Sequence, residues 1–185
     1  EGDPKAAATL PEPPVLTISD PSLELPFPGD YTIDGTTDDF QCFVLDPGVT
    51  SKKWITQIQL SAGNPLIDHH GLVFLDFKGE SEALAKDGRF PCFTNPDVAA
   101  YLLATWTPGA APVIAPEGAG MPVYPGSRIV VQMHYHPTGK GPEKDPSSVQ
   151  LKWVDTEPQY EAAQALVGNF DELDSNGSGL QPGPN

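Results

Sequence analysis

Hydrophobic and polar residues alternate with a period of two along several stretches, which is the spacing of β-strands whose two faces differ. Residues 128–136 and 149–154 alternate in this way, and the Pro/Gly/Lys-rich loop between them predicts an antiparallel hairpin. Residues 72–77 are almost continuously apolar, as expected for a strand covered on both faces. In residues 54–60 the pattern predicts one face made of Trp54, Thr56, Ile58 and Leu60.

Helical signals are scarce. Asn95 followed by Pro96 is typical of a helix start, with Asn95 as the cap and Pro96 in the first turn, and this predicts one short helix over residues 95–104. The sequence as a whole predicts an all-β fold, an antiparallel β-sandwich of jelly-roll type with long loops.

Composition narrows the function classes. The 185 residues include 22 prolines and 18 glycines, which favours strands and turns over a helical bundle. A formal net charge of -15 argues against binding nucleic acid or an anionic membrane through a basic surface. No stretch approaches the roughly 18–20 apolar residues of a membrane span.

The two ends differ from the middle. Residues 1–14 and 171–185 have the composition of flexible linkers, so the folded domain is expected over residues 15–170. The first residues do not resemble a signal peptide, which is consistent with a mature or trimmed segment. A further domain is expected to follow the C-terminal linker.

Two cysteines, Cys42 and Cys92, permit a single disulfide. They lack the CxxC spacing of a zinc cluster. Either they pair, which would indicate an oxidising compartment, or both are buried thiols.

All four histidines fall in two short motifs within predicted strands, Asp-His-His-Gly at residues 68–71 and Gln-Met-His-Tyr-His at residues 132–136. Because side chains alternate along a strand, His134 and His136 should share a face. His69 and His70 would point apart on a flat strand, so both can bind one ion only if the backbone kinks there. Gly71 after them supplies such freedom, and Pro65 before them interrupts the ladder.

Clustering favours a metal site over four incidental histidines. Imidazoles without a thiolate suit copper, zinc or another late first-row ion. Asp68 is a candidate to accept a ring N–H from a ligand and so fix its tautomer. His136 follows the predicted end of its strand, and it is a ligand, a close neighbour of the site or a solvent-facing residue.

Four segments in order resemble one known family: residues 38–43, 68–74, 106–109 with 116–120, and 130–136. They look like the N-terminal copper domain of the copper type II, ascorbate-dependent monooxygenases, the family of peptidylglycine α-hydroxylating monooxygenase and dopamine β-monooxygenase. Within this family, the sequence looks like the bacterial members. The resemblance covers residues 31–167.

This resemblance implies a two-domain enzyme whose domains are β-sandwiches with one copper each. His69, His70 and His134 match the ligands of the N-terminal copper, which stores and passes single electrons taken from ascorbate. A second copper, held in the next domain by a His-x-His pair and a methionine, uses O2 to hydroxylate a C–H bond. No second set of such ligands is found here. The chain alone is therefore expected to be inactive in hydroxylation and, as a periplasmic or secreted protein, to require a downstream copper domain as partner.

The chain departs from the animal enzymes, which carry several disulfides in this domain. No cysteine stands near residues 145–147, where that pattern would place the partner of Cys42. Trp106 and the Pro-Gly motifs are expected to be structural. Two other functions remain open: a stand-alone copper-binding or copper-delivery β-sandwich protein without hydroxylase activity, and an interaction domain whose histidines are incidental or bind zinc.

Overall fold

Two β-sheets face each other in the computed structural model, which describes residues 17–29, 31–93 and 95–164. One sheet has five strands, in the order β6 (Arg89–Pro91), β3 (Asp39–Leu45), β10 (Arg128–Tyr135), β5 (Asp68–Asp76) and β7 (Tyr101–Trp106). The other has six, in the order β1 (Leu23–Pro26), β12 (Ser148–Val154), β4 (Lys53–Ser61), β9 (Ala119–Val123) and β13 (Tyr160–Glu161), with β8 (Val113–Ile114) also paired to β4. β2 (Thr32–Ile33) and β11 (Glu143–Lys144) form a small third sheet.

Neighbouring strands are antiparallel except β13, which runs parallel to β9. The predicted all-β antiparallel sandwich is therefore confirmed. No helix within the described ranges is long and apolar enough to cross a membrane.

The main core lies between the two sheets. Alternate residues of the central strands point into it and are almost fully buried, each contributing about 1.5–3 kcal/mol relative to exposure. From the five-stranded sheet these are Val73, Leu75, Ile129, Val131, Met133 and Tyr135, and from the six-stranded sheet Ile55, Ile58, Leu60, Val149 and Leu151.

The predicted face of β4 is wrong at its beginning. The pairing of β4 with β12 shifts register between Lys152 and Trp153, so that Thr56 is an extra residue in a β-bulge. The bulge brings Ile55 to the core face with Ile58. Trp54 consequently lies on the other face, where Lys52 Nζ sits 3.9 Å above its ring.

The predicted hairpin of residues 128–136 and 149–154 is also wrong. β10 and β12 belong to different sheets, and the connection between them crosses from one layer to the other. Both strands have one apolar face, and these faces are buried against each other across the core rather than side by side. The alternating pattern predicts a buried face, but not which strand lies beside it.

The helix predicted over residues 95–104 is absent from the described residues of that range. Asn95 Oδ1 accepts a hydrogen bond from the backbone of Asp97, 2.9 Å away, and Asp97 has a left-handed φ of 55°. This is a local Asx turn, which Asn favours as much as a helix cap. The following residues pair with β5 as strand β7. Within the described part of the chain, the helical element is a 3-10 turn, Glu80–Ala83.

A smaller apolar cluster covers the outer face of the five-stranded sheet. It contains Phe74, Phe90 and Val130 together with Cys42 and Cys92. The two cysteines form a disulfide across 50 residues, with a Cα–Cα distance of 5.7 Å. Of the two possibilities that the sequence left open, a disulfide or two buried thiols, the structure has the disulfide. The disulfide fastens the segment after β6 to β3, beside the site described next.

Candidate metal centre

Strands β5 and β10 bring the two histidine motifs together on the outer face of the five-stranded sheet. His70 and His134 are direct cross-strand partners. Met133 and Tyr135, the neighbours of His134, are fully buried in the core on the opposite face. His134 therefore points away from Met133 and Tyr135, as the alternation of side chains along a strand requires.

A β-bulge adds His69 to the same face. In the β5–β10 pairing, Tyr135 lies opposite Asp68 while His134 lies opposite His70, which leaves His69 as the extra residue. An extra residue interrupts the alternation of side chains, so two consecutive histidines can point the same way. The predicted kink is thus present.

Gly71 has a different role from the one predicted. It does not have the positive φ of a hinge residue. A Cβ at this position would lie 2.3 Å from Leu60 Cδ2 and 2.9 Å from Met133 Sδ. Glycine is therefore needed for the close packing of β5 on the core beneath the histidines.

The Nδ1 atoms of the three histidines converge. They are separated by 3.1 Å between His69 and His70, 3.1 Å between His69 and His134, and 3.3 Å between His134 and His70. Three protonated nitrogens cannot face one another at such distances. The arrangement suits three lone pairs that share one cation, and these residues are the group in the described chain that could hold a metal ion.

The size of this triangle fits one ion. Atoms about 3.2 Å apart lie on a circle of radius about 1.8 Å, just below the usual metal–nitrogen distance of about 2.0–2.1 Å. His69, His70 and His134 would hold such an ion through one nitrogen each, and three protein ligands would leave room for a further ligand. Imidazole alone suits several late first-row metals, so the geometry defines a metal site without defining the element.

The three histidines differ in how deeply they are buried. His69 is exposed, His70 is half-buried and His134 is only 8 % exposed. Desolvation lowers the pKa of His70, and the neighbouring His134 and His69 lower it further. Both effects favour the neutral imidazole, which is the form that binds a metal.

Asp38, rather than Asp68, contacts the histidine rings. Its Oδ1 lies 2.7 Å from His136 Nδ1 and its Oδ2 lies 3.0 Å from His134 Nε2. The second contact has the distance of an ion pair but lacks the alignment of a hydrogen bond. The contact with His136, and to a smaller extent the contact with His134, holds the pKa of Asp38 below its usual value. A carboxylate at Nε2 leaves Nδ1 of His134 for the metal.

Asp68 is placed on the opposite side of its strand. It is 3 % exposed, and its Oδ2 accepts a hydrogen bond from the backbone of Asn64 at 2.8 Å. The pKa of Asp68 is raised to about 7, mainly by burial and in addition by the negative charge of Asp145. The predicted role of Asp68 beside the metal is therefore wrong for this structure, because the bulge directs Asp68 away from the rings.

His136 is a neighbour of the site rather than a member of the converging group. Its side chain is 70 % exposed and shares the carboxylate of Asp38 with His134. The two histidines do project to the same side of the strand, as expected.

Two aromatic rings pack on one side of the site. The ring of Phe40 stacks on His134 with a centroid distance of 4.1 Å and an angle of 10°, and Phe93 meets Phe40 edge-on at 4.8 Å. The pattern of residues 38–43 gives Asp38 and Phe40 no individual role in the site. Both lie in the segment that precedes and begins β3, and only the pairing of β3 with β10 places them beside His134.

The site and the fold together define a class: an all-β sandwich protein with a three-histidine site that could bind a metal ion. Comparison with known protein families and with curated proteins found no match to this chain.

Proposed function

We propose that this chain is the copper-binding, electron-transfer domain of an ascorbate-dependent copper monooxygenase. The observation that supports this most directly is the convergence of the Nδ1 atoms of His69, His70 and His134. The order of motifs that resembles this enzyme family supports it independently.

Bound copper would supply a one-electron store, because the ion can alternate between Cu(II) and Cu(I). The residues of the chain hold and insulate it. The three imidazoles would hold the ion in their neutral form, the charge of Asp38 beside Nε2 of His134 would favour Nδ1 as the binding atom, and Phe40 covers one face of that ring. The exposed edge of His69 gives a reductant access.

Hydroxylation of a C–H bond by O2 would require a second copper domain in the parent protein. The two methionines, Met121 and Met133, are buried in the core and are not free to bind a metal. We therefore assign no catalytic residue to this chain and expect it to be inactive in hydroxylation alone. The disulfide supports a periplasmic or secreted location.

Metal content and Cu(II) electron paramagnetic resonance test the proposal. We expect one copper per chain with a nitrogen-rich type 2 spectrum. His69→Ala and His134→Ala should each lose it, while His136→Ala, a matched control, should retain the copper. Copper that is unaffected by the first two substitutions would refute the assignment.

A stand-alone copper-binding or copper-delivery protein is the second candidate, and the exposure of His69 favours it because an accessible ligand speeds metal exchange. The two functions differ in what happens to the ion. An electron-transfer domain should be reduced by ascorbate and reoxidised with its copper retained, whereas a delivery protein should release copper to an acceptor within the same period.

A further inference from the structure

Phe93 is an exposed aromatic residue whose backbone the fold nevertheless fixes. Its side chain is 67 % exposed, although burial of a phenylalanine is worth about 1.5–3 kcal/mol. The preceding residue, Cys92, is bound to Cys42 of β3 by the disulfide, and its backbone N–H donates to the carbonyl oxygen of Phe40 at 3.3 Å. Phe93 is therefore held at the sheet surface without being buried there.

The contact that Phe93 makes leads directly to a candidate metal ligand. Phe93 meets Phe40 edge to face, with a centroid distance of 4.8 Å and an angle of 82°. Phe40 in turn lies parallel to the His134 ring at 4.1 Å. Parallel rings at that distance are in direct contact and leave no space for a water molecule between them. One face of the His134 imidazole is therefore covered by hydrocarbon.

The disulfide lies beside this aromatic contact on the same face of the sheet. Gln132 is the cross-strand partner of Cys42 and stands two residues before His134, so Gln132 and His134 project to the same side. The buried amide of Gln132 donates through Nε2 to Cys92 Sγ at 3.7 Å. The disulfide, the amide and the two phenylalanine rings thus form one layer next to the metal site.

The other two candidate ligands lack such a cover. Within the described residues, the rings of His69 and His70 have no aromatic contact besides the histidine rings of the site. His69 is exposed and His70 is half-buried. The apolar cover is therefore specific to His134.

An apolar cover on one ligand changes the balance between the two oxidation states of copper. Three neutral imidazoles add no charge, so Cu(II) would keep two positive charges and Cu(I) one. Apolar surroundings disfavour the higher charge more strongly, and the hydrophobic shell of a metal site controls its reduction potential. The carboxylate of Asp38 near His134 acts in the opposite direction, since a negative charge stabilises the more positive ion.

We propose that Phe40 and Phe93 are positioning residues that favour Cu(I) over Cu(II) at the three-histidine site. Phe40 supplies the apolar cover on His134, and Phe93 holds Phe40 against that ring. This inference rests on the proposed binding of copper, but it requires neither a second domain nor hydroxylation.

The ratio of Cu(I) affinity to Cu(II) affinity of the full chain tests the proposal. Competition with a Cu(I) chelator and with a Cu(II) chelator, each of known affinity, gives the two constants. Phe40→Ala should lower the ratio at least tenfold, which corresponds to a reduction potential about 59 mV lower. Phe93→Ala should lower the ratio by less, because it acts through Phe40. Phe40→Leu, which keeps an apolar side chain over the ring, should also lower it by less.

Phe77→Ala is the matched control. Phe77 is also half-buried and packs edge to face with another ring, that of Tyr101, at 4.8 Å. It follows the end of β5, however, whereas His69 and His70 stand at the beginning of that strand. The affinity ratio should not change in this variant. A shift as large as that of Phe40→Ala would show a general effect of lost aromatic packing and overturn the proposal.

Folding of each variant is checked by circular dichroism. Because Phe93 is exposed, Phe93→Ala tests the proposal even if Phe40→Ala does not fold. An unchanged ratio in these variants would overturn the inference, and so would equal losses of Cu(I) and Cu(II) affinity, which would indicate a purely structural contact. A wild-type chain that binds no copper would instead refute the proposed function and this inference with it, and metal content shows this before any ratio is measured.

Discussion

Asp38 shows how a single side chain can complete a site that the histidines only begin. Its two carboxylate oxygens contact His134 and His136, and neither histidine has another acidic contact within the described residues. The sequence identified the three converging histidines, because they are rare and clustered. The sequence predicted Asp68 as the supporting carboxylate, but closeness in sequence does not show which carboxylate is close in space.

Asp38→Ala is expected to lower copper affinity about 10- to 100-fold, the usual effect of losing a carboxylate that orients a histidine ligand. Competition with a chelator of known affinity measures the change. Asp34 is exposed and contacts none of the histidine rings, so Asp34→Ala removes the same charge and should leave the affinity almost unchanged. Equal losses in the two variants would show that only net charge matters.

At the scale of elements, β5 combines two requirements: its first residues direct histidines outward, and the next ones pack closely on the core. The bulge at His69 meets the first requirement, and Gly71 meets the second. The same sheet is then covered from outside by the segment that leaves β5 after Asp76 and is fixed by the Cys42–Cys92 disulfide.

Gly71→Ala should destabilise the fold by about 1–3 kcal/mol, because the added methyl overpacks against the buried side chains of Leu60 and Met133. Denaturant unfolding measures the free energy. Gly29→Ala is the matched control, since no atom lies within 4 Å of its Cβ position. Equal stability of the two variants would contradict the packing role of Gly71.

Asp76 fixes the beginning of the segment that follows β5 through hydrogen bonds to its backbone. The carboxylate is fully buried and accepts backbone hydrogen bonds from Lys78, Gly79 and Ser81 at 3.1, 2.9 and 2.8 Å. Burial opposes its ionisation, but these backbone N–H groups outweigh burial and hold the pKa of Asp76 below its usual value of 3.8.

A group with a depressed pKa in the folded state stabilises the fold above its unfolded pKa and loses that effect as the pH falls through the folded pKa. Asp76→Asn should therefore cost about 1–3 kcal/mol at neutral pH. The difference from wild type should stay constant down to about pH 5 and shrink below about pH 4. Unfolding curves across this range measure it, and a difference independent of pH would contradict the role of the charge.

At the scale of the whole molecule, the metal site is separate from the hydrophobic core. The three histidines lie on the outer face of a sheet whose inner face is packed against the second sheet. The core does not include the candidate ligands, so the sandwich should not need a metal to fold.

Copper that binds only the folded state should add about 2.7 kcal/mol of stability when the free ion is 100-fold above its Kd. For a domain of this size that corresponds to a rise in Tm of about 5–10 °C. Calorimetry with and without copper measures the rise, and His69→Ala should abolish it. A chelator should reverse the rise without loss of the β-strand signal, whereas unfolding by the chelator would indicate a structural metal instead.

The sequence by itself determined the features that depend on local pattern. Alternation with a period of two predicted an all-β fold, and the spacing of the histidine motifs predicted the face shared by His134 and His136. Apolar runs and clustered rare residues are properties of short segments, so they can be read without knowledge of the partners.

The tertiary structure alone decided which elements meet. β10 and β12 face each other across the core instead of forming a hairpin, residues 101–106 form a strand beside β5, and β3 carries Asp38 and Phe40 to His134. Register shifts placed His69 among the converging histidines and Ile55 in the core. Each of these outcomes depends on contacts between residues far apart in sequence, whose energies a local pattern does not contain.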